Sequence, residues 1–198
     1  MRKNAFAMSI AGVLLCVLPT LAAAEKQTTV TVAGGVTKVK LSDGFVSALK
    51  SLGVDAGTVA PTRIYEGTAD FPVTGGAVDL TTAAGNIIHS GGLILETPKT
   101  VVRLESFIID TTGAAPELTG LVVVNGTLVG RLVLFNLILP SGFSVPLKTE
   151  GPLLSLKDVK VELSSAAAGA LNSVFDVKAF AAGFDIGTAD VFAFVDWH

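Results

Sequence analysis

The only histidine in the body of this 198-residue chain is His89, which lies in the segment His89-Ser90-Gly91-Gly92. An earlier glycine pair, Gly75-Gly76, belongs to the same stretch, and each pair borders a run of strand-forming residues. Glycine at such places permits a positive φ or the close approach of another backbone segment. We therefore consider two roles for His89: a ligand presented at the rim of a sheet, or a turn residue whose ring bonds to backbone carbonyls.

Other residues offer little catalytic chemistry. Ser90 adjoins His89, but neighbours on a strand point to opposite faces, and no G-x-S-x-G segment is present. The sequence contains two histidines and one cysteine, Cys16, which falls in a leader that we predict to be removed. That set is too small for the three or four protein ligands of a zinc site. We expect no enzymatic activity and no metal site built from side chains alone.

Haem iron is ligated in proteins by His, Met, Cys or Tyr side chains. Both methionines and the cysteine lie in the predicted leader, so the mature chain retains Tyr65, His89 and His198. His198 is the last residue, where chains fray. If the protein binds haem iron through a side chain, the candidates are thus Tyr65 and His89. The alternative for Tyr65 is an amphipathic residue at a sheet edge.

The first 24 residues have the pattern of a secretory signal peptide. Arg2 and Lys3 precede an apolar run over residues 5–21, and Ala22-Ala23-Ala24 then offers a small-residue cleavage site. The run is shorter than the ~20 residues of a membrane-spanning helix. We predict cleavage near Ala24 and one mature domain, 25–198, secreted to the periplasm or the medium. No sorting tail or apolar anchor follows Val195, so we expect no transmembrane anchor and no wall attachment.

The charge of the mature chain argues against two classes of partner. With Arg2 and Lys3 removed, 12 of the 14 basic side chains remain against 17 acidic ones. Nucleic acids and anionic membranes both attract basic surfaces, so neither is expected as a partner. Half of the residues are hydrophobic and 16% are charged, which predicts a large folded core.

The pattern of elements predicts a mainly β fold. Apolar and polar residues alternate along many short segments, and Asn125-Gly126 between two such segments indicates a type I′ hairpin turn. Two short helices are predicted, one after Ser42 and one from Ala166 to Phe175 after a cap at Ser164-Ser165. Some nine to twelve strands with two helices predict an antiparallel β-sandwich of two packed sheets.

Three segments of the chain form a recognisable set: FPVTGGAVDLTTAAGNIIHSGGL (Phe71–Leu93), VKLSDGFVSAL (Val39–Leu49) and AFAAGFDIGTADVF (Ala179–Phe192). Together they resemble the HtaA-type domain of secreted and surface haem-uptake proteins of actinobacteria. The resemblance covers roughly residues 36–195, and the first segment is even more similar to secreted bacterial proteins of unassigned function. It implies two packed antiparallel sheets with two short helices.

The resemblance also implies haem binding, with tyrosine as an iron ligand and a histidine in support. His89 falls at the position of the family's histidine. The tyrosine positions do not carry over, because Ala48 or Leu49 stands at the first and Phe180 at the second. Tyr65 matches neither position.

Three hypotheses of function follow. The first is a secreted haem-binding or haem-relay domain that uses His89 and Tyr65 and cooperates with envelope or haem-uptake proteins. The second is an adhesion or envelope interaction module that has lost haem binding. The third is a carrier of an apolar small molecule, suggested by four phenylalanines that are otherwise ordinary core residues: Phe107, Phe135, Phe143 and Phe184. Haem binding requires His89 or Tyr65 to face one shared apolar cleft, whereas a closed cavity lined by phenylalanine favours a carrier.

Overall fold

The computed structural model describes residues 28–196, so the predicted signal peptide, Cys16 and His198 lie outside the described residues. Within this range the chain forms twelve strands and two helices. In chain order they are β1 (Thr29–Leu41), α1 (Asp43–Ser51), β2 (Asp55–Val59), β3 (Arg63–Tyr65), β4 (Thr68–Asp79), β5 (Gly85–His89), β6 (Gly92–Glu96), β7 (Val101–Asp110), β8 (Glu117–Val124), β9 (Thr127–Ile138), β10 (Thr149–Glu150), β11 (Leu153–Leu163), α2 (Ser165–Phe175) and β12 (Asp185–Asp196).

Eight of the strands close into an antiparallel barrel. Their order is β1–β4–β5–β7–β8–β9–β11–β12, and β12 pairs with β1. The predicted mainly β, antiparallel architecture with two helices is confirmed. The predicted division into two packed sheets is not observed. The strands form one continuous sheet, and the pairing of β7 with β8 closes it into a barrel. Alternating strands have the same pattern in a sandwich and in a barrel, so the sequence pattern could not distinguish them.

The His89-Ser90-Gly91-Gly92 segment lies where the sheet branches. One side of β7 pairs with β8, while its other side pairs first with β6 and then with β5. Strand β5 continues to β4 within the barrel, whereas β6 continues to β2 outside it. Gly91 has φ +80°, and a Cβ at Gly92 would clash with the Leu104 carbonyl oxygen. The glycine pair is therefore required by the backbone, as predicted.

The other glycine pairs mark bulges in neighbouring strands. Register shifts occur at Gly34 on β1 and at Gly75 on β4. Gly35 and Gly76 follow with φ near +135°, and a side chain at either would overlap a carbonyl oxygen of the adjacent strand. Such bulges bend strands and help a sheet to close.

The helices begin where the sequence predicts. The Ser42 hydroxyl oxygen accepts a hydrogen bond from the Phe45 N–H at 3.1 Å, and that of Ser164 accepts from the Ala167 N–H at 3.0 Å. The Ser164 hydroxyl also donates to the Val133 carbonyl at 2.6 Å, which ties α2 to β9. Neither helix in residues 28–196 is long enough to cross a membrane.

The predicted hairpin turn is also confirmed. Val124 pairs with Thr127, and the two residues between them, Asn125 and Gly126, have φ of +49° and +81°. Positive φ at both central positions is the signature of a type I′ turn. The Asn-Gly pair thus correctly indicated the backbone conformation of this turn.

Candidate functional site

The barrel encloses an apolar cavity of about 190 Å³. All eight barrel strands contribute side chains to the wall of this cavity. Alternate residues of a strand point to the same face, so every second residue of each strand faces the interior. One such residue from each strand is Val39, Phe71, Ile87, Phe107, Leu118, Leu137, Leu156 and Val191. Among the described residues that line the cavity, none is a lysine, arginine, aspartate or glutamate. The cavity therefore suits apolar molecules, and a charged group would be unfavourable there.

His89 and Thr37 form a polar pair in this wall. His89 ends β5 and is 3% exposed, and its ring Nε2 lies 2.8 Å from the Thr37 hydroxyl oxygen on β1. The bond spans β4, which lies between β1 and β5. The second ring nitrogen, Nδ1, has no hydrogen-bond partner among residues 28–196. Buried polar atoms are seldom left in this state.

His89 is uncharged at neutral pH. Burial lowers its pKa to about 4 because the protonated ring is poorly solvated there, although the backbone of Phe107 and Ile87 favours the protonated form. Those backbone groups do not complete a hydrogen bond with Nδ1. A neutral imidazole carries one proton, so one ring nitrogen donates and the other accepts.

Aromatic side chains surround part of the cavity. Phe71 and Phe107 contact each other edge to face, with ring centres 5.3 Å apart, and Phe135 and Phe143 also line the space. Phe184, the fourth phenylalanine singled out from the sequence, instead packs edge to face on Phe180 at 5.8 Å. Three of those four phenylalanines thus line one cavity.

The outer end of the cavity is covered by irregular structure. Exposed Thr82 and Asn86 lie at this end, in and just after the β4–β5 turn. The segment 139–148 crosses the same end and contributes Phe143 and Leu147 to the lining. It is anchored to the β4–β5 connection by a 2.6 Å hydrogen bond from the Leu147 N–H to the Leu80 carbonyl.

Asp79 orders this outer end. One carboxylate oxygen accepts hydrogen bonds from the N–H groups of Thr81 and Thr82, each at 2.8 Å, and the other accepts from the Thr28 hydroxyl. These bonds, that from Thr28 first, lower the pKa of Asp79. Its carboxylate is therefore occupied in holding the β4–β5 turn.

The opposite end of the barrel is filled. A smaller space of about 40 Å³ lies beside α1 and α2, lined by Phe45 and Leu171 among others. Three residues line both spaces and so lie between them: Leu93, Phe135 and Ile186.

Tyr65 does not belong to this site. It lies on β3, which among the described strands pairs with β4 alone, and 75% of its surface is exposed. The cavity lining contains His89 but not Tyr65, so the structure does not bring the two predicted site residues together. At the positions where the resemblance implies tyrosine, Leu49 and Phe180 are buried, and Ala48 is half-buried. Within residues 28–196, no three His, Cys, Asp or Glu side chains gather as a metal site.

Sequence analysis missed Thr37. Its inward orientation follows from in-phase alternation with Val39 and Leu41 on β1, a signal that was available. Its contact with His89, 52 residues further along the chain, depends on the order of β1, β4 and β5 in the sheet. Local patterns do not reveal that order.

Comparison with solved structures shows the fold to be that of HtaA domains. The C-terminal domain of HtaA from Corynebacterium glutamicum superposes with a TM-score of 0.64 at 17% identity, covering 84% of this chain and 99% of that domain. The N-terminal domain of the same protein superposes with a TM-score of 0.61 at 11% identity, covering 84% of this chain and 99% of that domain. The haem-binding protein HtaB from C. glutamicum superposes with a TM-score of 0.56 at 8% identity, covering 85% of this chain and 95% of that protein. No protein-family model and no curated protein matches the sequence. The predicted resemblance is confirmed as a shared fold.

Proposed function

We propose that this chain is a non-enzymatic binding domain that holds an apolar small molecule inside its barrel. The cavity of about 190 Å³ is the observation that carries the proposal. Well-packed cores leave few voids larger than a water molecule. A void of about 150 Å³ lined by aliphatic and aromatic side chains is enough to bind benzene. The cavity therefore suits a compact apolar ligand.

We also propose that the domain acts outside the cytoplasm. The pattern of residues 1–24 supports export, with residues 25–198 as the mature form in the periplasm or the medium. Mass spectrometry of the protein recovered from a secreting host tests this. A mature N-terminus near Glu25 is expected, and retention of residues 1–24 would contradict export by cleavage.

The ligand proposal is tested by thermal unfolding of residues 25–198 with and without ethylbenzene. A ligand at about 100 times its Kd stabilises a folded protein by about 2.7 kcal/mol, so the melting temperature should rise with ethylbenzene concentration. The matched variant is Ala189→Leu, because Ala189 is buried and faces the cavity. Its added carbons occupy the ligand's space and should abolish the rise. Equal and negligible shifts in both proteins, with ethylbenzene and with larger apolar compounds, would overturn the proposal.

Haem binding is the second candidate, favoured by the shared fold with haem-binding HtaB. The side chains do not fit the ligand arrangement that the resemblance implies. His89 is buried with Nε2 already bonded to Thr37, Tyr65 is exposed, and the family's tyrosine positions hold apolar residues. The cavity is also smaller than the ~300–1,000 Å³ of pockets for drug-sized molecules, a class smaller than haem.

A haemin titration followed in the Soret band separates the two candidates. The comparison is residues 25–198 against the His89→Ala variant. A saturable, shifted band that weakens in the variant would support haem binding near His89. An unshifted spectrum in both proteins would leave the apolar-ligand proposal in place. Failure of both haemin and apolar ligands would favour an adhesion or envelope interaction module.

A further inference from the structure

The pair formed by His89 and Thr37 is not explained by packing alone. His89 is 97% buried, since 3% of its surface is exposed, and its Nδ1 has no hydrogen-bond partner in the described part of the chain. Leaving a buried donor or acceptor unpaired costs about 1–3 kcal/mol, whereas two apolar side chains of the same shape avoid that cost. His89 lines the cavity, and its Nδ1 is a buried hydrogen-bonding atom that no other group in residues 28–196 satisfies.

We propose that the ligand carries a single uncharged hydroxyl group, which hydrogen-bonds to His89 Nδ1 while its apolar body fills the cavity. This inference rests on the proposed function and names the chemical class of its ligand. The nitrogen supplies the polar contact, and the surrounding aliphatic and aromatic side chains supply the rest. Apolar pockets commonly use a few such polar groups to orient what they bind.

A hydroxyl group suits both protonation states of the neutral ring. If the Thr37 hydroxyl donates to Nε2, the proton of the ring is on Nδ1, which then donates to the ligand. If Nε2 donates to Thr37, Nδ1 is bare and accepts. A hydroxyl group both donates and accepts, so it pairs with Nδ1 in either case. A carbonyl or an ether can pair with only one of these forms.

A carboxylate does not suit the cavity. The described residues that line it include no lysine or arginine, and burial keeps His89 uncharged at neutral pH. An anion placed there would lose its hydration without a counter-charge, which is costly in an apolar interior. The ligand is therefore an alcohol or a phenol and not an acid.

The position of His89 sets how the ligand lies. Asn86 is at the outer end of the cavity, and His89 follows three residues later on β5. At about 3.3 Å per residue, the ring lies about 10 Å further in along the strand. The hydroxyl group is therefore at the inner end of the bound molecule, and the apolar body extends toward segment 139–148.

The test compares benzyl alcohol, ethylbenzene and benzoate, which share a phenyl ring and differ in the group attached to it. Affinities are measured at pH 7 by calorimetry on residues 25–198 and on the double variant Thr37→Val/His89→Leu. This variant removes both polar groups together and keeps a similar volume, so no buried partner is left unpaired.

In the unmodified protein, benzyl alcohol should bind at least tenfold more tightly than benzoate. In the double variant, the affinity for benzyl alcohol relative to that for ethylbenzene should fall by about tenfold to a hundredfold, the effect of an unpaired buried hydroxyl. Binding of ethylbenzene also shows that the variant is folded. In addition, benzyl alcohol but not ethylbenzene should shift the ring-nitrogen NMR signals of His89.

The outcomes separate the two proposals. If ethylbenzene binds and the preference for benzyl alcohol is the same in both proteins, the hydroxyl assignment is wrong and the apolar-ligand function stands. Tighter binding of benzoate than of benzyl alcohol would also overturn the assignment. If no compound binds either protein, the proposed function itself fails.

Discussion

The two halves of the barrel interior are both lined mainly by apolar side chains, but one is filled and the other is hollow. The half beside α1 and α2 is filled by side chains such as Phe45, Leu163 and Leu171 and keeps a space of only about 40 Å³. The other half is hollow, with about 190 Å³, and is covered by segment 139–148 instead of a helix. Hydrophobicity alone therefore does not distinguish a filled core from a cavity. The two halves differ in the elements that cover them, helices at one end and segment 139–148 at the other.

Buried polar groups differ between the halves in the same way. In the filled half, the Ser164 hydroxyl accepts from the Ala167 N–H and donates to the Val133 carbonyl. In the hollow half, His89 has one bonded ring nitrogen and one unpartnered nitrogen. The hydrogen bonds of the Ser164 hydroxyl are all made within the fold, and they stabilise the start of α2. His89 has bonding capacity left for a ligand.

The largest loss of stability is predicted for a substitution that disrupts the wall of the hollow half. Gly76→Ala places a Cβ against the Asn86 carbonyl on β5 at a residue with φ +137°. We expect a loss of about 4 kcal/mol or more in the free energy of unfolding, measured in urea, or failure to fold. Gly130→Ala is the matched control, with φ +140° but no atom within 4 Å of the added carbon. It should cost about 1–2 kcal/mol. Equal losses would mean that strand crowding contributes nothing.

The next largest effect is the pH dependence of stability that arises from His89 in the hollow half. The pKa of His89 is lowered from 6.5 to about 4 in the folded protein, so the unfolded chain binds more protons between these values. Stability is therefore lost as the pH falls from about 6.5 toward 4, by about 3 kcal/mol in total. Below about pH 4 this contribution falls no further.

Urea unfolding between pH 7 and pH 4 measures this loss of stability in the unmodified protein and in the Thr37→Val/His89→Leu variant. The variant keeps every carboxylate, so the difference between the two curves isolates His89. His89 is the one titratable side chain among the described residues that line the cavity. Parallel curves would show that His89 is protonated in the folded state as easily as in the unfolded state.

A matched pair of insertions compares the halves directly. Ala167→Leu adds carbons to the filled half and should cost about 1–3 kcal/mol, because a close-packed interior must shift to accept them. Ala189→Leu adds the same carbons to the hollow half and should change stability by less than about 1 kcal/mol. Thermal unfolding of both variants gives the two values. Equal costs would mean that the cavity is not open space in solution.

The smallest effect is expected outside both halves. Tyr65→Ala removes a side chain that is 75% exposed on β3, so unfolding free energy and ethylbenzene affinity should change by less than about 0.5 kcal/mol. Haemin titration of this variant is informative as well. A weakened Soret shift relative to the unmodified protein would assign Tyr65 a binding role that its position does not suggest.

Local features of the fold were predictable, whereas its closure was not. Ser42, Ser164 and Asn125-Gly126 determine their caps and turn through bonds and φ values within a few residues, and short sequence patterns record them. Closure depends on β7 pairing with β8, and the strand pattern is the same whether the sheet closes or splits.

The site was predictable only in part for the same reason. His89 stood out by its rarity and by its glycine neighbours, and three phenylalanines of the lining were also identified. Its partner Thr37 was not identified, because their contact depends on strand order. Tyr65 was selected for its ligand chemistry, but its 75% exposure on β3 agrees with the alternative role, an amphipathic residue at a sheet edge.

The pairing of β1 with β12 determines when the cavity can form. β1 is the first of the described strands and β12 is the last, so the barrel closes by joining segments that are far apart in the sequence. Contacts between residues so distant in sequence form slowly and late. Synthesis must therefore reach β12 before the barrel can close around its cavity. A truncation that removes β12 should abolish the cavity even though the segment around His89 remains intact.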